Sequence, residues 1–410
     1  MPPRSVLEIE GVLRNYAWGS TTALPALLGV APSGDPVAEL WLGAHPSAPS
    51  PVPPTASTLD AVIATDPGRL LGDWVADRFG GRLPFLLKVL AAERPLSIQV
   101  HPTITQARDG YAAEQARGIP ADADERNYRD ANHKPELLCA LTRFTALCGF
   151  RAPAETIRVV DAFPERVRRA LRDVRADLCQ PEEARALRSA FTRLLTLPDP
   201  ARAALLETVV AGLAAQGDDG LAPEAVVSAR IVERCAAEFP GDIGAVLVLL
   251  LNPVVLEPGD AIYLGAGVVH CYLHGLGVEI MANSDNVLRC GLTPKHVDVD
   301  ELLAITDFVA VAEPRRAPAS VGLGWTFSTP VPDFRLSLAD LDAATGAWGL
   351  DGRQPKIVLC TSGALQVDSA DGSVGLAPGH AAFVAADAVS VTVRGRGRAF
   401  VATVGGELEI

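Results

Sequence analysis

The sequence predicts a mainly β protein, built on a jelly-roll or similar barrel or sandwich, with an α-helical insertion and a second β-unit at the C-terminus. Three observations predict it. Short apolar runs at residues 246–250, 261–264 and 278–281 are broken by Pro and Gly, the spacing of strands bounded by turns. From residue 152 to about 239 the chain changes to windows rich in Ala, Leu, Arg and Glu, with apolar residues at helical spacing. After Pro318 short β-like runs return, and Ala377-Pro378-Gly379-His380 stands where Glu257-Pro258-Gly259-Asp260 stands in the first set. Each tetrapeptide precedes a run that starts at Ala and ends in an aliphatic residue, an internal repeat of architecture.

Taken in order, residues 6–12 form a short candidate strand, and Arg14-Asn15-Tyr16-Ala17-Trp18-Gly19-Ser20 suits a packed turn. Residues 39–46 run from strand to loop, where His45 is assigned a loop-fixing hydrogen bond. Residues 60–79 fit one or two helices. Residues 83–90 are an apolar run carrying one cation, Lys88, which must either be paired or serve the site, unless it snorkels at a strand end. Residues 108–129 are polar and read as a helix plus loop. Within the insertion, Val167, Leu171 and Val174 mark one helix face, and Leu187, Phe191, Leu194 and Leu195 another. Pro198-Asp199-Pro200 separates two helices, while Arg166, Arg168, Arg169 and Arg172 read as a solvated face. The C-terminal strands are expected at 334–338, 356–361, 366–369, 380–384, 389–393 and 399–404, and His380 among them is assigned a structural role.

A length of 410 residues implies two or three domains. The formal net charge of −13 excludes a broad nucleic-acid-binding face, which needs a basic excess. Seven cysteines without a C-x-x-C pair read as reduced thiols. The start M-P-P-R-S lacks a signal-peptide pattern, and the apolar run 243–251 is too short to cross a bilayer. A soluble cytoplasmic protein with no membrane partner is expected.

The chemistry is sought around Pro95-Leu96-Ser97-Ile98-Gln99-Val100-His101-Pro102. In an extended chain Gln99 and His101 share the face opposite Ile98 and Val100. Glu136, after Asn132-His133-Lys134-Pro135, and His270, after the turn at 257–260, add a carboxylate and a second imidazole. Such a set suits a borderline-soft metal with room for water or substrate, although a lone His on a strand is more often a hydrogen-bonded structural residue.

Four blocks, Q-V-H-P, N-H-K-P-E, E-P-G-D-A-I-Y-L-G-A-G-V-V-H and S-D-N-V-L-R-C-G-L-T-P-K, stand in the order seen in type I phosphomannose isomerases. The chain resembles that family, zinc enzymes of the cupin superfamily, with weaker matches from about Arg14 onward. The resemblance implies a cupin barrel from residues 1–151 and 240–318, a helical insertion at 152–239 and a degenerate cupin-like unit at 319–410. It implies one Zn2+ per chain held by Gln99, His101, Glu136 and His270, and interconversion of mannose 6-phosphate and fructose 6-phosphate through an enediol. It also places Lys88 and Arg289 in the active site. Lys134, two residues before Glu136 on a strand, shares its face and is the first candidate for acid/base work; Lys88 and Glu279 are rival bases, and His133 is a candidate for ring opening. Arg289 and Lys295 suit the phosphate, Ser97 adds a hydroxyl and Asp285 is expected to orient Arg289. A sugar phosphate is the implied partner of a monomer. Two other readings are a metal-dependent cupin oxygenase and a non-catalytic sugar-phosphate-binding cupin. A Gln ligand and lysines in the pocket weigh against the first, the retained ligand set against the second.

Overall fold

The strand Phe85–Ala92, F-L-L-K-V-L-A-A, is buried at all eight positions and organises the fold. Side-chain alternation sorts its two faces. Phe85, Leu87, Val89 and Ala91 enter a core shared with Phe327, Ile357, Phe383 and Phe400 of the C-terminal region. Leu86, Lys88 and Leu90 point the other way, Leu86 against Trp41 and Met281 and Leu90 against Leu138. A run that looks uniformly apolar therefore separates a structural face from the face that holds Lys88.

The computed structural model describes residues 4–312, 314–342, 344–350 and 352–406. It is mainly β-sheet with helices. The main path of an 11-stranded antiparallel network, from which four more strands branch, follows the order Arg315–Arg316, Ala261–Leu264, Glu136–Ala140, His270–Ala282, Phe85–Ala92, Glu39–Gly43, Val12–Arg14. The long strand His270–Ala282 does two jobs. Residues 277–281 lie between Phe85–Ala92 and Glu136–Ala140, whereas residues 270–274 pair with Phe144–Phe150. The chain turns between the two pairings at Gly275, whose φ is 133°. A Cβ there would stand 2.6 Å from Phe144 Cδ2, so only glycine fits this corner.

The main path of a nine-stranded sheet, with two more strands on Lys356–Ser369 and Thr392–Thr403, runs Val6–Ile9, Ala381–Val384, Lys356–Ser369, Thr392–Thr403, Arg335–Leu341, Gly324–Phe327, Ala319–Val321. Its first strand comes from the N-terminus, so the two ends of the chain close one sheet. Residues 356–361 and 366–369, expected as two strands, form the single strand Lys356–Ser369. His380 meets a partner that local sequence could not indicate, Glu8 at 3.9 Å.

The helical stretch runs from Pro153–Ala162 to Pro223–Glu238, with Glu183–Leu195 and Asp199–Gln216 between them. In Glu183–Leu195 the residues Ala186, Leu187, Ala190, Phe191 and Leu194 are buried, the stripe expected of an amphipathic helix. Arg166, Arg168, Arg169 and Arg172 are exposed, as expected. Further expectations need correction, and residues 389–393 and 399–404, expected as two strands, contribute to the single strand Thr392–Thr403. Residues 60–79 form three short helices, Leu59–Thr65, Pro67–Leu71 and Asp73–Arg78, because Pro67 and Gly72 interrupt the run. Residues 246–250 are helical, in Gly244–Leu247 and Val248–Leu250, and the strand starts at Leu251. A short apolar run has no periodicity to tell a strand from a buried helix, and here it packs under the insertion's helices.

Candidate metal centre

Ile98 and Val100 are fully buried, so Gln99 and His101 take the opposite face of the strand Ile98–Val100 and its continuation. Gln99 pairs with His270 on one side and with Arg289 on the other. Directly opposed residues share a face, so Arg289, Gln99 and His270 form one row across three strands. Glu136 enters from a neighbouring strand, opposite Met281. His270 is reached through the turn Gly265-Ala266-Gly267-Val268. Gly267, at φ 77°, donates its N–H to the His101 carbonyl at 2.9 Å, and a Cβ there would stand 2.9 Å from the Asp307 Cβ.

His101 Nε2 lies 3.3 Å from Glu136 Oε1, and His270 Nε2 lies 3.5 Å from Glu136 Oε2. One ligand atom from each of the three residues falls within 4.8 Å of the others, and all three side chains are buried. His101 Nδ1 is 2.8 Å from the Asn286 carbonyl oxygen, and His270 Nδ1 is 2.9 Å from that of Val268. A carbonyl only accepts, so each Nδ1 carries the proton and each Nε2 presents a lone pair. Lone pair then faces carboxylate across about 3.3–3.5 Å, and His101 Nε2, His270 Nε2 and Glu136 Oε2 are buried without a hydrogen-bond partner among the described residues. Acceptors aimed at one another are stable only around a cation. Two imidazoles and a carboxylate, with the Asn286 and Val268 carbonyls fixing the tautomers, suit zinc with a coordination position open to an oxygen.

The electrostatics agree. Burial pushes His101 down to about 4, with Lys134 acting in the same direction, so its ring is neutral at neutral pH. Burial opposes the charge on Glu136, but Lys134 and His101 outweigh it and hold that carboxyl well below the usual range. Lys134 Nζ is 2.6 Å from Glu136 Oε1, the shared face expected from their spacing of two.

A cationic cluster stands beside this row. Arg289 is half-buried, and its guanidinium has no hydrogen-bond or ion-pair partner among the described residues. Burial and then Arg129 lower its pKa, and Arg289, burial and Arg129 lower that of Lys295, against an opposing effect of Asp124. A cleft of about 1270 Å³ opens nearby, lined by His45, Arg129, His133, Asp285 and Asp333 among others; its walls stop short of the buried triad.

The sequence profile of phosphomannose isomerase type I, catalytic domain, matches residues 6–153. The chain is 42% identical to the mannose-6-phosphate isomerase of Escherichia coli (strain K12) over 392 residues, 94% of this chain and 96% of that protein. The chain belongs to the mannose-6-phosphate isomerase family. Its member from Aspergillus fumigatus is 34% identical over 439 residues, 95% of this chain and 93% of that one. A crystal structure of mannose 6-phosphate isomerase bound with zinc and yttrium superposes with a TM-score of 0.89 at 38% identity, covering 98% of this chain and 100% of the other.

In this member of the mannose-6-phosphate isomerase family, Lys88 and Glu279 belong to a buried network. Glu279 stands opposite Lys88 across the strands, with Nζ 3.3 Å from Oε2, and Lys88 is 3.5 Å from Glu39 Oε1. Tyr272 donates its hydroxyl to Glu279 Oε1 at 2.8 Å, and Trp41 Nε1 donates to Glu39 Oε2 at 2.6 Å. Burial works against the Lys88 charge, but Glu39 and Glu279 reverse the effect and raise its pKa. Burial raises Glu279, with Lys88 opposing. Lys88 is therefore an ammonium between carboxylates, neither snorkelling nor poised as a neutral amine.

His133 points toward the cleft wall, with Nε2 3.0 Å from Asp333 Oδ2 of the C-terminal region. The Asp285 carboxylate, expected on Arg289, has no hydrogen bond or ion pair to it among the described residues and lies 3.7 Å from His45 Nε2. His45 also holds Ser47, whose Oγ is 2.8 Å from Nδ1, the loop-fixing role expected. Ser97 is half-buried and Lys295 exposed. Sequence reasoning missed Arg129, Glu39, Asp333 and Asn286. Arg129 carried a local signal, a cation three residues before the N-H-K-P-E block; Asp333 carried none.

Proposed function

We propose that the chain interconverts mannose 6-phosphate and fructose 6-phosphate as an aldose–ketose isomerase that holds one zinc ion. The observation that carries this reading is the convergence of three acceptors on His101, Glu136 and His270, beside Arg289, all without partners among the described residues. Gln99 joins them as fourth ligand, supported by its place in the row with His270. When bound, zinc would supply Lewis acidity in the pocket.

The chain's own residues divide the remaining work. Arg289, Lys295 and Arg129 receive the phosphate, with Ser97 adding a hydroxyl and Asp285 shaping the cleft wall. His133, oriented by Asp333, moves the proton that opens the sugar ring. Lys134, after giving up its ammonium proton to solvent, takes the proton from C2 of the open aldose as a neutral amine and returns it to C1 of the enediol; Glu279 is the rival base. Lys88, held as an ammonium, stabilises negative charge developing on the enediol oxygens. The scaffold fits a cupin jelly roll assembled from residues 1–151 and 240–318, carrying the 152–239 insertion and a cupin-like unit at 319–410. The reading extends to a cytoplasmic monomer without nucleic-acid or membrane partners, supported by the net charge of −13 and by the absence, among described residues, of a helix long and apolar enough to cross a membrane.

Metal analysis of the purified protein with a coupled assay on mannose 6-phosphate tests the reading. One zinc per chain with isomerase turnover lost on chelation is expected; turnover unaffected by complete metal removal would refute it. Lys134→Ala with normal turnover and normal solvent-proton exchange at the substrate carbon would remove Lys134 as the base.

A further inference from the structure

We infer that Asn286 is a positioning residue whose side-chain amide, by clamping the 129–132 loop, holds its own main-chain carbonyl where it fixes His101 with the proton on Nδ1. Asn286 is completely buried, and its side chain spends its hydrogen-bonding capacity on one segment. Oδ1 accepts from the N–H groups of Arg129 at 2.7 Å and Asp130 at 3.2 Å. Nδ2 donates to the carbonyls of Asp130 and Asn132, both at 2.8 Å. Its main-chain N–H donates to Ser284 Oγ at 3.2 Å, and that hydroxyl donates to Asp130 Oδ1 at 2.9 Å. Asp285 N–H donates to Asp130 Oδ2 at 2.7 Å. Residues 283–286 and 129–132 are thus zipped into one clasp.

The clasp ends on functional groups in three directions. The Asn286 carbonyl accepts from His101 Nδ1 at 2.8 Å. Arg129 is held by its own N–H. Lys134 and Glu136 leave the far end of the loop, after Asn132 has donated to the Asn283 carbonyl at 3.0 Å. Only asparagine serves here. Aspartate has no N–H for the two carbonyls and sets a carboxylate beside them and Asp130; alanine leaves two donors and two acceptors unpaired in a part-buried loop. Fixing the other nitrogen of a ligand histidine sets the tautomer that presents Nε2 to the metal, and losing such a partner weakens metal affinity about 10–100-fold.

The inference rests on the reading of the triad as a zinc site, so its test has a readout that needs no metal. Nitrogen NMR of the zinc-free protein reports the His101 tautomer, and competition with a chelator reports zinc affinity. Asn286→Asp and Asn286→Ala are expected to lose the pure Nδ1–H form and to weaken zinc about 10–100-fold, and Ser284→Ala, which loosens the same clasp more gently, to do so by less. Thr403→Val, which removes a buried hydrogen bond to the Pro355 carbonyl in the other sheet, should lower the melting temperature yet leave zinc affinity and tautomer unchanged. If the Asn286 variants do not fold, Ser284→Ala decides. The inference is overturned if His101 keeps its Nδ1 proton in every folded clasp variant, or if their zinc affinity stays within about twofold of wild type or falls no further than in Thr403→Val. A wild-type protein that takes up no zinc would sink the metal reading alone, since the tautomer still decides the role of Asn286.

Discussion

Removing the charge of Glu279 tests whether the buried Glu39–Lys88–Glu279 network is held together electrostatically. In Glu279→Gln the Tyr272 hydroxyl keeps an oxygen to donate to, so the change isolates the contact with Lys88, 3.3 Å across the strands. At an effective dielectric constant of about 20, that separation corresponds to roughly 5 kcal/mol of attraction. Part is offset, because neutralising Glu279 relieves its own burial and its repulsion by Glu136 and Glu39. Glu39 also stays 3.5 Å from the ammonium. The net loss should be about 3 kcal/mol, the lower part of the range for breaking a buried pair. Lys88→Met should cost more, since it leaves two carboxylates facing one another. The assay is urea unfolding of the zinc-free protein as a double-mutant cycle over Glu279→Gln, Lys88→Met and the pair. A coupling of about 3 kcal/mol is expected. A coupling below about 0.5 kcal/mol, the size found for exposed pairs, would refute the picture of a desolvated ammonium clamped by carboxylates.

Acid should destabilise the zinc-free protein in a defined window. His101 titrates at about 4 when folded against an ordinary 6.5, so the unfolded chain takes the proton first; stability is full above 6.5 and falls by about 3 kcal/mol as pH drops toward 4. Glu136, held below the usual carboxylate range, continues the loss at lower pH. An equally steep loss between 6.5 and 4 in His101→Gln would disprove the assignment to this ring. Arg289→Gln should lower kcat/KM for mannose 6-phosphate about 10–100-fold, the worth of a charge-assisted contact, with Arg289→Lys in between; an unchanged ratio removes Arg289 from substrate binding. Cys139, Cys148, Cys235, Cys271, Cys290 and Cys360 are buried, with thiol pKa values raised by burial, whereas Cys179 is exposed. A thiol reagent should therefore label one cysteine per native chain quickly, and fast labelling of a second would show that the core opens.

Much of this site was legible where its logic is local. Gln99 with His101, and Lys134 with Glu136, are spaced by two on extended chain, and alternation places each pair on one face whatever the rest of the fold does. The long helices of the insertion were legible for the same reason, since residues 183–195 repeat their apolar positions at helical spacing. The apolar stretch 246–250 was misread because every position is buried, so no periodicity survives to separate helix from strand. Asp285 was misassigned because proximity along the chain to Arg289 says nothing about where its carboxylate turns.

The amino-acid sequence alone determined which ligand types are available, which pairs of them share a face and where strands give way to helices, because these depend on residues two to four positions apart. The tertiary structure decided which charges meet. Asp333 reaches His133 across 200 residues, Glu39 and Glu279 close on Lys88 from two strands, and Asn286 grips the loop that carries Arg129. Those meetings follow from sheet register and from the turn at Gly275, which bring distant segments within bonding distance and leave no mark in any short window of sequence.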